Sequence, residues 1–225
     1  MDTSFIQQYY KIFQVCPLFR GLKMEQIPEA LEFFHARQVN LARHEILQFL
    51  DEPFRYAGIV LAGSIEGSFL NENDAKISVS RFGAGQLFGE ALACVHPMHS
   101  PIQLEAIQDS IVVLLDIAAL HMARESLSGT GYHLAMNLIH DLAQKNIYQN
   151  RKIRILSQKK LRDRISIFLG EMPRQTDGAV LVKFTTTAMA EFLGVNRSAL
   201  SRELGLMQDA GELRIEGRRY YLTRP

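Results

Sequence analysis

Hydrophobic and polar residues follow different patterns along successive stretches of the chain. Residues 5–35 carry apolar positions at helical spacing, interrupted by Pro17 and Gly21. From Val39 to Asp116, short apolar runs alternate with glycine, asparagine, aspartate and proline. This alternation predicts β-strands at residues 45–49, 56–61, 65–70, 76–82, 102–107 and 111–115. Several short strands at such spacing indicate a sandwich or a barrel.

A long helix is predicted after the strands. Residues 132–156 contain neither proline nor glycine, and a helix of that length extends about 37 Å. Apolar and amide residues recur on it at spacings typical of a coiled-coil seam, which predicts pairing with a second copy of the chain. The residues of this predicted dimer seam are Ala135, Leu138, Leu142, Asn146 and Ile153. A helix that packs against its own barrel is the alternative.

The last third of the chain has the pattern of a winged helix-turn-helix. Ser157 is a candidate N-cap for a helix over residues 158–172, and residues 180–182 predict a short strand. Residues 185–193 predict a short helix, residues 194–196 a tight turn that needs a small residue, and residues 197–209 a second helix. The run from residue 213 to residue 222 then predicts a hairpin wing.

The second helix of this motif has one face free of core residues. Val195, Leu200 and Leu204 are spaced to pack inward. The opposite face carries the predicted base contacts, Arg197, Ser198, Ser201 and Arg202. Arginine suits bidentate contact with guanine and serine can donate to or accept from several base edges, so this face is typical of a recognition helix in a major groove.

The charge is distributed unevenly along the chain. The formal net charge is +1, but residues 1–150 carry 10 Lys and Arg against 16 Asp and Glu, whereas residues 151–225 carry 15 against 8. The first part is therefore at −6 and the second at +7. A basic C-terminal part next to an acidic N-terminal part indicates that the C-terminal part contacts a polyanion such as nucleic acid.

Three segments resemble the cyclic-AMP receptor protein/FNR (Crp/Fnr) family of bacterial transcription regulators. Residues 193–204 (LGVNRSALSREL) are similar to the recognition region of that family, and residues 82–92 (FGAGQLFGEAL) to its effector-domain signature. Residues 61–65 (LAGSI) resemble its barrel hairpin. The resemblance covers nearly the whole chain in the family's order of barrel, long helix and winged helix-turn-helix.

The resemblance implies an α+β protein with three parts. These are an effector-sensing double-stranded β-helix (jelly-roll) of the cyclic-nucleotide-binding type over residues 1–128, a long dimerisation helix over 129–156, and a winged helix-turn-helix over 157–225. It implies a homodimer on palindromic double-stranded DNA, with RNA polymerase as a further partner. The phosphate contacts carried over are Thr186, Thr187, Asn196 and Arg218. Members that read the best-known half-site have Glu at the position of Ser198, so a different half-site is expected.

The resemblance also gives an expected effector pocket. Its residues are Gly89, Glu90, His99, Ser100, Gln149 and Asn150. In members that bind cyclic nucleotides, an Arg-Ser pair holds the phosphate, and here His99 stands at the arginine position. Because neutral imidazole is a much poorer anion clamp than guanidinium, this departure argues against cyclic AMP. The effector is therefore an unidentified small molecule or a redox or haem group.

Metal, haem and enzyme hypotheses rest on few residues. Cys94, His96 and His99 are candidate haem ligands by residue type, although His96 and His99 flank a proline. Two cysteines, Cys16 and Cys94, are too few for an iron–sulfur cluster, so no metal site is predicted. The alternative function is a cupin-like metal-binding barrel enzyme with an accessory helical domain, but the histidine spacing does not fit it and no catalytic grouping is seen.

The N-terminus has neither the basic region nor the apolar run of a signal peptide, and no apolar stretch is long enough for a membrane span. A cytoplasmic protein that contacts no membrane is expected.

Overall fold

A computed structural model describes residues 3–73, 75–122 and 129–223. The chain forms two compact units, Met1–Ala143 and Gln144–Pro225. The longest helix contributes residues to both units, so each unit is described by itself below. The expected division of the chain at residues 128 and 156 stays a prediction.

The first unit begins with helices. These are α1 (Thr3–Val15), two 3-10 turns (Pro17–Phe19 and Met24–Gln26) and α2 (Ile27–Phe33). Phe13, Phe19, Ile27 and Phe34 are fully buried, and the rings of Phe13 and Phe19 lie 5.4 Å apart. These helical pieces therefore cover the barrel that follows with a continuous apolar layer.

Eight strands form the barrel as two four-stranded antiparallel sheets. The first sheet has the order β1-β8-β3-β6 and the second the order β2-β7-β4-β5. The strands are β1 (Arg37–Leu41), β2 (Ile46–Gln48), β3 (Ala57–Ala62), β4 (Ser64–Leu70), β5 (Lys76–Gly83), β6 (Leu87–Phe88), β7 (Gln103–Ala106) and β8 (Ser110–Leu115). Two short helices, α3 (Glu90–Val95) and α4 (Ala119–Met122), accompany them. Each of the six strands predicted from alternation is present.

The hairpin between β3 and β4 depends on a glycine. Gly63 has φ +86°, a backbone conformation that residues with a side chain rarely adopt. A Cβ there would lie 2.2 Å from Ser110 Oγ and 2.5 Å from the Asp109 carbonyl oxygen. Ser110 Oγ in turn accepts a hydrogen bond from Ser64 N at 3.0 Å. This contact joins the hairpin to the start of β8 and fixes the register of the first sheet.

Helix α5 (Thr130–Leu156) is a single helix of 27 residues, close to the prediction. Its first turns are tied to the helical layer, because Thr130 Oγ1 donates to Glu29 and Asn137 Nδ2 donates to the carbonyl oxygen of Leu18. Among the described residues, no helix is apolar enough over its length to cross a bilayer, α5 included.

The predicted dimer seam needs correction on this helix. Leu138 is 4% exposed and lies in the core of the first unit, Leu142 packs against that core, and Ala135 is half-buried. Leu138 and Leu142 therefore pack on their own unit, so their place in a dimer seam is not supported. Asn146 and Ile153 are exposed, as a seam requires.

The second unit contains α6 (Leu161–Gly170), α7 (Thr186–Phe192), α8 (Arg197–Asp209) and a small sheet of order β10-β11-β9. The strands are β9 (Val180–Leu181), β10 (Leu213–Glu216) and β11 (Arg219–Leu222). Their core joins apolar residues of all three helices to the sheet, including Ile165, Leu169, Met189, Leu200 and Leu204. Two helices joined by a tight turn and followed by a β-hairpin therefore lie close to the residues predicted for them.

The predicted cap at Ser157 is wrong. Helix α6 begins at Leu161 and not at residue 158 as predicted, and its N-cap residue Lys160 makes no side-chain capping bond. Ser157 instead ends α5, since its N–H donates to the Ile153 carbonyl oxygen at 2.8 Å and its hydroxyl donates to that of Arg154 at 2.8 Å.

Candidate nucleic-acid interface

The two helices of the second unit are held in place by their caps and by the turn between them. Thr185 Oγ1 accepts from Ala188 N at 3.1 Å at the start of α7, and Asn196 Oδ1 accepts from Ala199 N at 2.7 Å at the start of α8. Each cap of this kind contributes about 1 kcal/mol. Both helices therefore begin at fixed residues.

Gly194 closes the turn between α7 and α8. It has φ +68°, and a Cβ there would lie 3.3 Å from Leu156 Cδ2. Arg164 supports the same turn, because its guanidinium donates to the carbonyl oxygens of Leu193 and Gln158 at 3.1 and 2.9 Å. The angle at which α8 leaves the turn is thus set by a glycine conformation and by an arginine clamp.

Helix α8 buries one face and exposes the other. Leu200, Leu204 and Met207 are buried in the core of the second unit. The predicted base contacts Arg197, Ser198, Ser201 and Arg202 are all exposed on the other face. Neither Arg197 nor Arg202 forms an ion pair within the described part of the chain, so both guanidinium groups are available to a ligand.

Ser198 has a defined hydrogen-bonding state. Asn196 Oδ1 accepts from Ala199 N, so the Ser198 hydroxyl, 2.8 Å from the same oxygen, must be the donor in that contact. A hydroxyl has one proton and two acceptor lone pairs. With its proton used by Asn196, Ser198 can offer only acceptor positions to a bound molecule.

A polar groove lies between α7, α8 and the wing. Its volume is about 380 Å³, and it is lined by Thr186 and Thr187 of α7, Arg197 of α8 and Arg218 of the wing turn. Three of the four predicted phosphate contacts and one predicted base contact are thereby brought together. The fourth phosphate contact, Asn196, is exposed, but its side-chain oxygen serves as the α8 cap.

Sequence reasoning missed some residues of this groove. Thr185, Gly217 and Tyr220 also line it. Tyr220 is only 8% exposed, and burial raises the pKa of its hydroxyl. Nothing in the sequence pattern of residues 213–222 indicates that the edge of Tyr220 borders a polar groove.

The other wing arginines are engaged within the protein. Arg219 pairs with Asp177, and the guanidinium of Arg214 lies 4.2 Å from the centre of the Tyr221 ring and pairs with Glu216 at 3.5 Å. A hydrogen bond from Ala179 N lowers the pKa of Asp177, and the ion pair with Arg219 lowers it further. Arg218 is exposed and forms no ion pair within the described residues.

Ser100, a residue of the expected effector pocket, forms its hydrogen bonds with other residues of the barrel. Residues 51–54 run beside residues 97–100: Asp51 N donates to the Ser100 carbonyl oxygen, and Ser100 N donates to that of Glu52, both at 2.9 Å. The Ser100 hydroxyl donates to the Ile102 carbonyl oxygen at 2.7 Å. Both donors of Ser100 are therefore used internally, and the residue is 3% exposed.

The remaining residues of that pocket do not form an anion site either. Gly89 has φ +71°, and a Cβ there would lie 2.6 Å from the Phe54 ring, which fills the adjacent space. Glu90 is 6% exposed. His99 points to solvent, with 75% of its side chain exposed, and pairs with Asp51 at 2.9 Å. These residues do not fit a cyclic phosphate.

In the second unit, Gln149 and Asn150 are exposed on α5, and Asn150 Nδ2 donates to Asn146 Oδ1 at 2.8 Å. Their expected place in an effector pocket stays a prediction.

The residues considered for metal or haem do not share a centre. Among the described residues, no three His, Cys, Asp or Glu side chains are placed to hold a metal ion. His96 Nε2 is buried without a hydrogen-bond partner, whereas His99 is directed to solvent. Burial, with a smaller contribution from the charge of Glu90, raises the pKa of the Cys94 thiol, which disfavours the thiolate that a metal needs. The residues present do not fit haem, and nothing in them supports a cupin-like metal site.

Comparison with known proteins identifies the fold. No protein-family model matches the chain, and no curated protein sequence matches it. Several solved structures are similar over most of the chain. The catabolite activator protein of Thermus thermophilus is 18% identical over 92% of this chain and 93% of its own, with a TM-score of 0.54.

Two further structures agree with this match. The c-di-GMP responsive global regulator CLP of Xanthomonas campestris is 17% identical over 89% of this chain and 99% of its own, with a TM-score of 0.53. A cyclic nucleotide-binding domain from Methylobacillus flagellatus KT is 16% identical over 71% of this chain and 88% of its own, with a TM-score of 0.56. The chain therefore has the fold of these regulators, with a cyclic-nucleotide-binding-like barrel as its first unit.

Proposed function

We propose that the chain is a transcription regulator of the Crp/Fnr family that binds double-stranded DNA sequence-specifically as a homodimer. The observation that carries the proposal is the free face of α8, where Arg197, Ser198, Ser201 and Arg202 are exposed beside the groove of Thr186, Thr187 and Arg218. The shared fold and the charge of +7 on residues 151–225 support it.

The two groups of residues take different roles on a duplex. The α8 face fits a major groove, where arginine reads guanine through two hydrogen bonds and serine reads a single edge atom. The groove between α7 and the wing is polar and is lined by two arginines and three threonines, residue types that are typical phosphate contacts. Thr186, Thr187 and Arg218 would thus position the protein, while Arg197, Ser198, Ser201 and Arg202 would select the sequence.

Homodimer formation is proposed through a stripe on α5 that differs from the expected one. Tyr132, Met136 and Ile139 are 57%, 45% and 57% exposed, and Ile153 is 64% exposed. With Ala143, Asn146 and Asn150 they follow a spacing of alternately four and three residues, which is the coiled-coil repeat. We name this set, Tyr132, Met136, Ile139, Ala143, Asn146, Asn150 and Ile153, the exposed stripe.

Control by a small-molecule effector in the barrel is a further part of the proposal. Such a ligand would have to displace the hydrogen bonds between residues 51–54 and 97–100 before Ser100 could donate to it. The cyclic nucleotides named for the structural relatives do not fit the residues here, because His99 is exposed and Ser100 has no free donor. A redox or haem effector has no supporting residues.

Selection of bound sequences from random double-stranded DNA tests the function directly. The full-length protein is expected to enrich a roughly palindromic site with half-site centres about 10 base pairs apart, one helical turn of DNA. Enrichment of a single half-site would contradict the dimer. Recovery of unselected sequences, with affinity that depends on salt alone, would contradict sequence-specific binding.

A further inference from the structure

A second cavity of the DNA-binding unit is lined by aromatic rings. Tyr148, Phe168, Phe184 and Phe192 surround a volume of about 440 Å³, and Met172, Pro173, Ala188 and Met189 complete the apolar wall. The ring centres of Phe168 and Phe192 lie 5.1 Å apart, and those of Tyr148 and Phe192 lie 5.9 Å apart. We call this cavity the aromatic groove.

Two of the four aromatic rings are largely exposed to solvent. Tyr148 is 51% exposed and Phe184 is 53% exposed, whereas Phe168 on the floor is 4% exposed. Cavities of a few hundred Å³ with aromatic walls and a few polar groups are typical of small-molecule sites. The groove therefore has the size and the lining of a site for a flat apolar ligand.

The charges at the groove favour a negative group on that ligand. Arg151 is engaged by Glu171, with 2.6 Å between Nε and Oε2. Lys152 lines the groove, is half-buried, and forms no ion pair within the described residues. Glu191 also lines the groove but is exposed. Since Arg151 is already paired, Lys152 is the cation among the described lining residues that remains available to a negative group of a ligand.

We propose that the aromatic groove binds a planar aromatic carboxylate. The ring system would stack between the aromatic walls, and the carboxylate would accept hydrogen bonds from Lys152. None of the residues that line the aromatic groove belongs to the first unit or to the proposed base and phosphate contacts, and the proposal does not depend on either of them.

The position of the groove links such a ligand to the helix-turn-helix. Ala188, Met189 and Phe192 belong to α7, and Met189 is 1% exposed in the same core as Leu200 and Leu204 of α8. Phe184 borders both the aromatic groove and the polar groove of Thr186, Thr187 and Arg218. A bound ring would therefore contact residues next to the proposed phosphate contacts.

Calorimetric titration of the full-length protein, without DNA, tests the proposal. The probe is 2-naphthoate, and 2-naphthylmethanol is the neutral compound with the same rings. Saturable binding of one naphthoate per chain is expected, with weaker binding of the alcohol. Lys152→Gln should weaken naphthoate binding by about tenfold, because a hydrogen bond to a charged group is lost. Ala188→Leu should abolish it by filling the groove.

Lys159→Gln is the matched control, since Lys159 is an exposed lysine of the same unit outside the groove, and it should leave binding unchanged. Three results would overturn the proposal: no binding of naphthoate, equal binding of the alcohol, or binding that Ala188→Leu leaves intact. Thermal unfolding of each variant shows whether it is folded. Lys152→Gln changes only a side chain at the rim, so it keeps the test valid if Ala188→Leu does not fold.

Discussion

At the scale of single residues, Arg202 and Arg218 carry the same guanidinium group into two different environments. Arg202 stands on the exposed face of α8, and Arg218 lies in the wing turn beside Thr186 and Thr187. Neither pairs with an acid within the described ranges. A base contact and a phosphate contact are expected to differ in how their loss depends on DNA sequence and on salt.

Arg202→Ala should cost about 1–3 kcal/mol on the selected site and relax discrimination at one base pair. Arg218→Ala, the matched control, should weaken binding to all sequences alike and reduce the salt dependence by about one counterion. Fluorescence anisotropy with a set of single-base variants at several salt concentrations measures both effects. Uniform weakening by Arg202→Ala would instead make Arg202 a phosphate contact.

Ser198 is the residue at which the structure restricts the chemistry of recognition most closely. Because its proton is donated to Asn196, the base it contacts should present an amino group, either N4 of cytosine or N6 of adenine. Ser198→Ala should remove about 1 kcal/mol of preference for that base. Base-by-base competition binding measures this, with Ser166→Ala on α6 as the control. A preference at that position for guanine or thymine in the wild type would contradict the assignment.

At the scale of secondary-structure elements, the turn between α7 and α8 depends on the backbone conformation of Gly194. An alanine there would have to adopt φ +68° with its Cβ 3.3 Å from Leu156, whereas Gly205 lies inside α8 with open space around it. Gly194→Ala should destabilise the protein by about 1–2 kcal/mol. Gly205→Ala should stabilise it by about 0.5–1 kcal/mol, because alanine is the better helix former.

Thermal or urea unfolding of both glycine variants measures the difference. Equal effects of the two substitutions would show that the turn conformation is not the constraint. The comparison is informative because both changes add the same methyl group to the same motif.

The strands and most helices could be predicted because local patterns determine them. Alternation predicted six of the eight barrel strands, and the absence of proline and glycine predicted α5. The seam prediction chose Leu138 and Leu142, which pack on their own unit, because α5 is apolar on two sides: Leu134, Leu138 and Leu142 form one stripe, and Tyr132, Met136 and Ile139 another. Helical spacing identifies both stripes equally, and only the position of the barrel decides which of them is buried.

The hydrogen bonds of the expected effector pocket could not be predicted for a related reason. His99 and Ser100 were placed in that pocket by resemblance alone, but the N–H of Ser100 donates to the Glu52 carbonyl oxygen, about 50 positions away, and its hydroxyl donates to that of Ile102. The pairing of residues 51–54 with residues 97–100 is a long-range backbone contact with no residue-type pattern. The exposed face of α8, by contrast, could be predicted because all of its residues lie within two turns of one helix.

At the scale of the whole molecule, the proposed pairing through the exposed stripe and the proposed palindromic site would both follow from one two-fold symmetry. A two-fold dimer places two α8 helices in successive major grooves, so the loss of the dimer should remove most of the affinity for the full site. Exposed apolar residues at 45–64% on one side of a long helix also need a covering surface in water. A second copy of the same stripe meets both requirements.

Ile139→Glu places a charge in the middle of the exposed stripe, where pairing would bury it without a partner, and should convert the dimer into a monomer. Gln8→Glu adds the same charge on an exposed position of α1 and should leave the dimer intact. Analytical ultracentrifugation or native mass spectrometry measures the oligomeric state of both. If Ile139→Glu remains a dimer while Leu142→Glu dissociates, the stripe first expected from the sequence is the interface, and the burial of Leu138 and Leu142 must differ in the dimer. If Ile139→Glu is a monomer that still binds the full palindrome with undiminished affinity, the proposed dependence of DNA binding on pairing through the exposed stripe is contradicted.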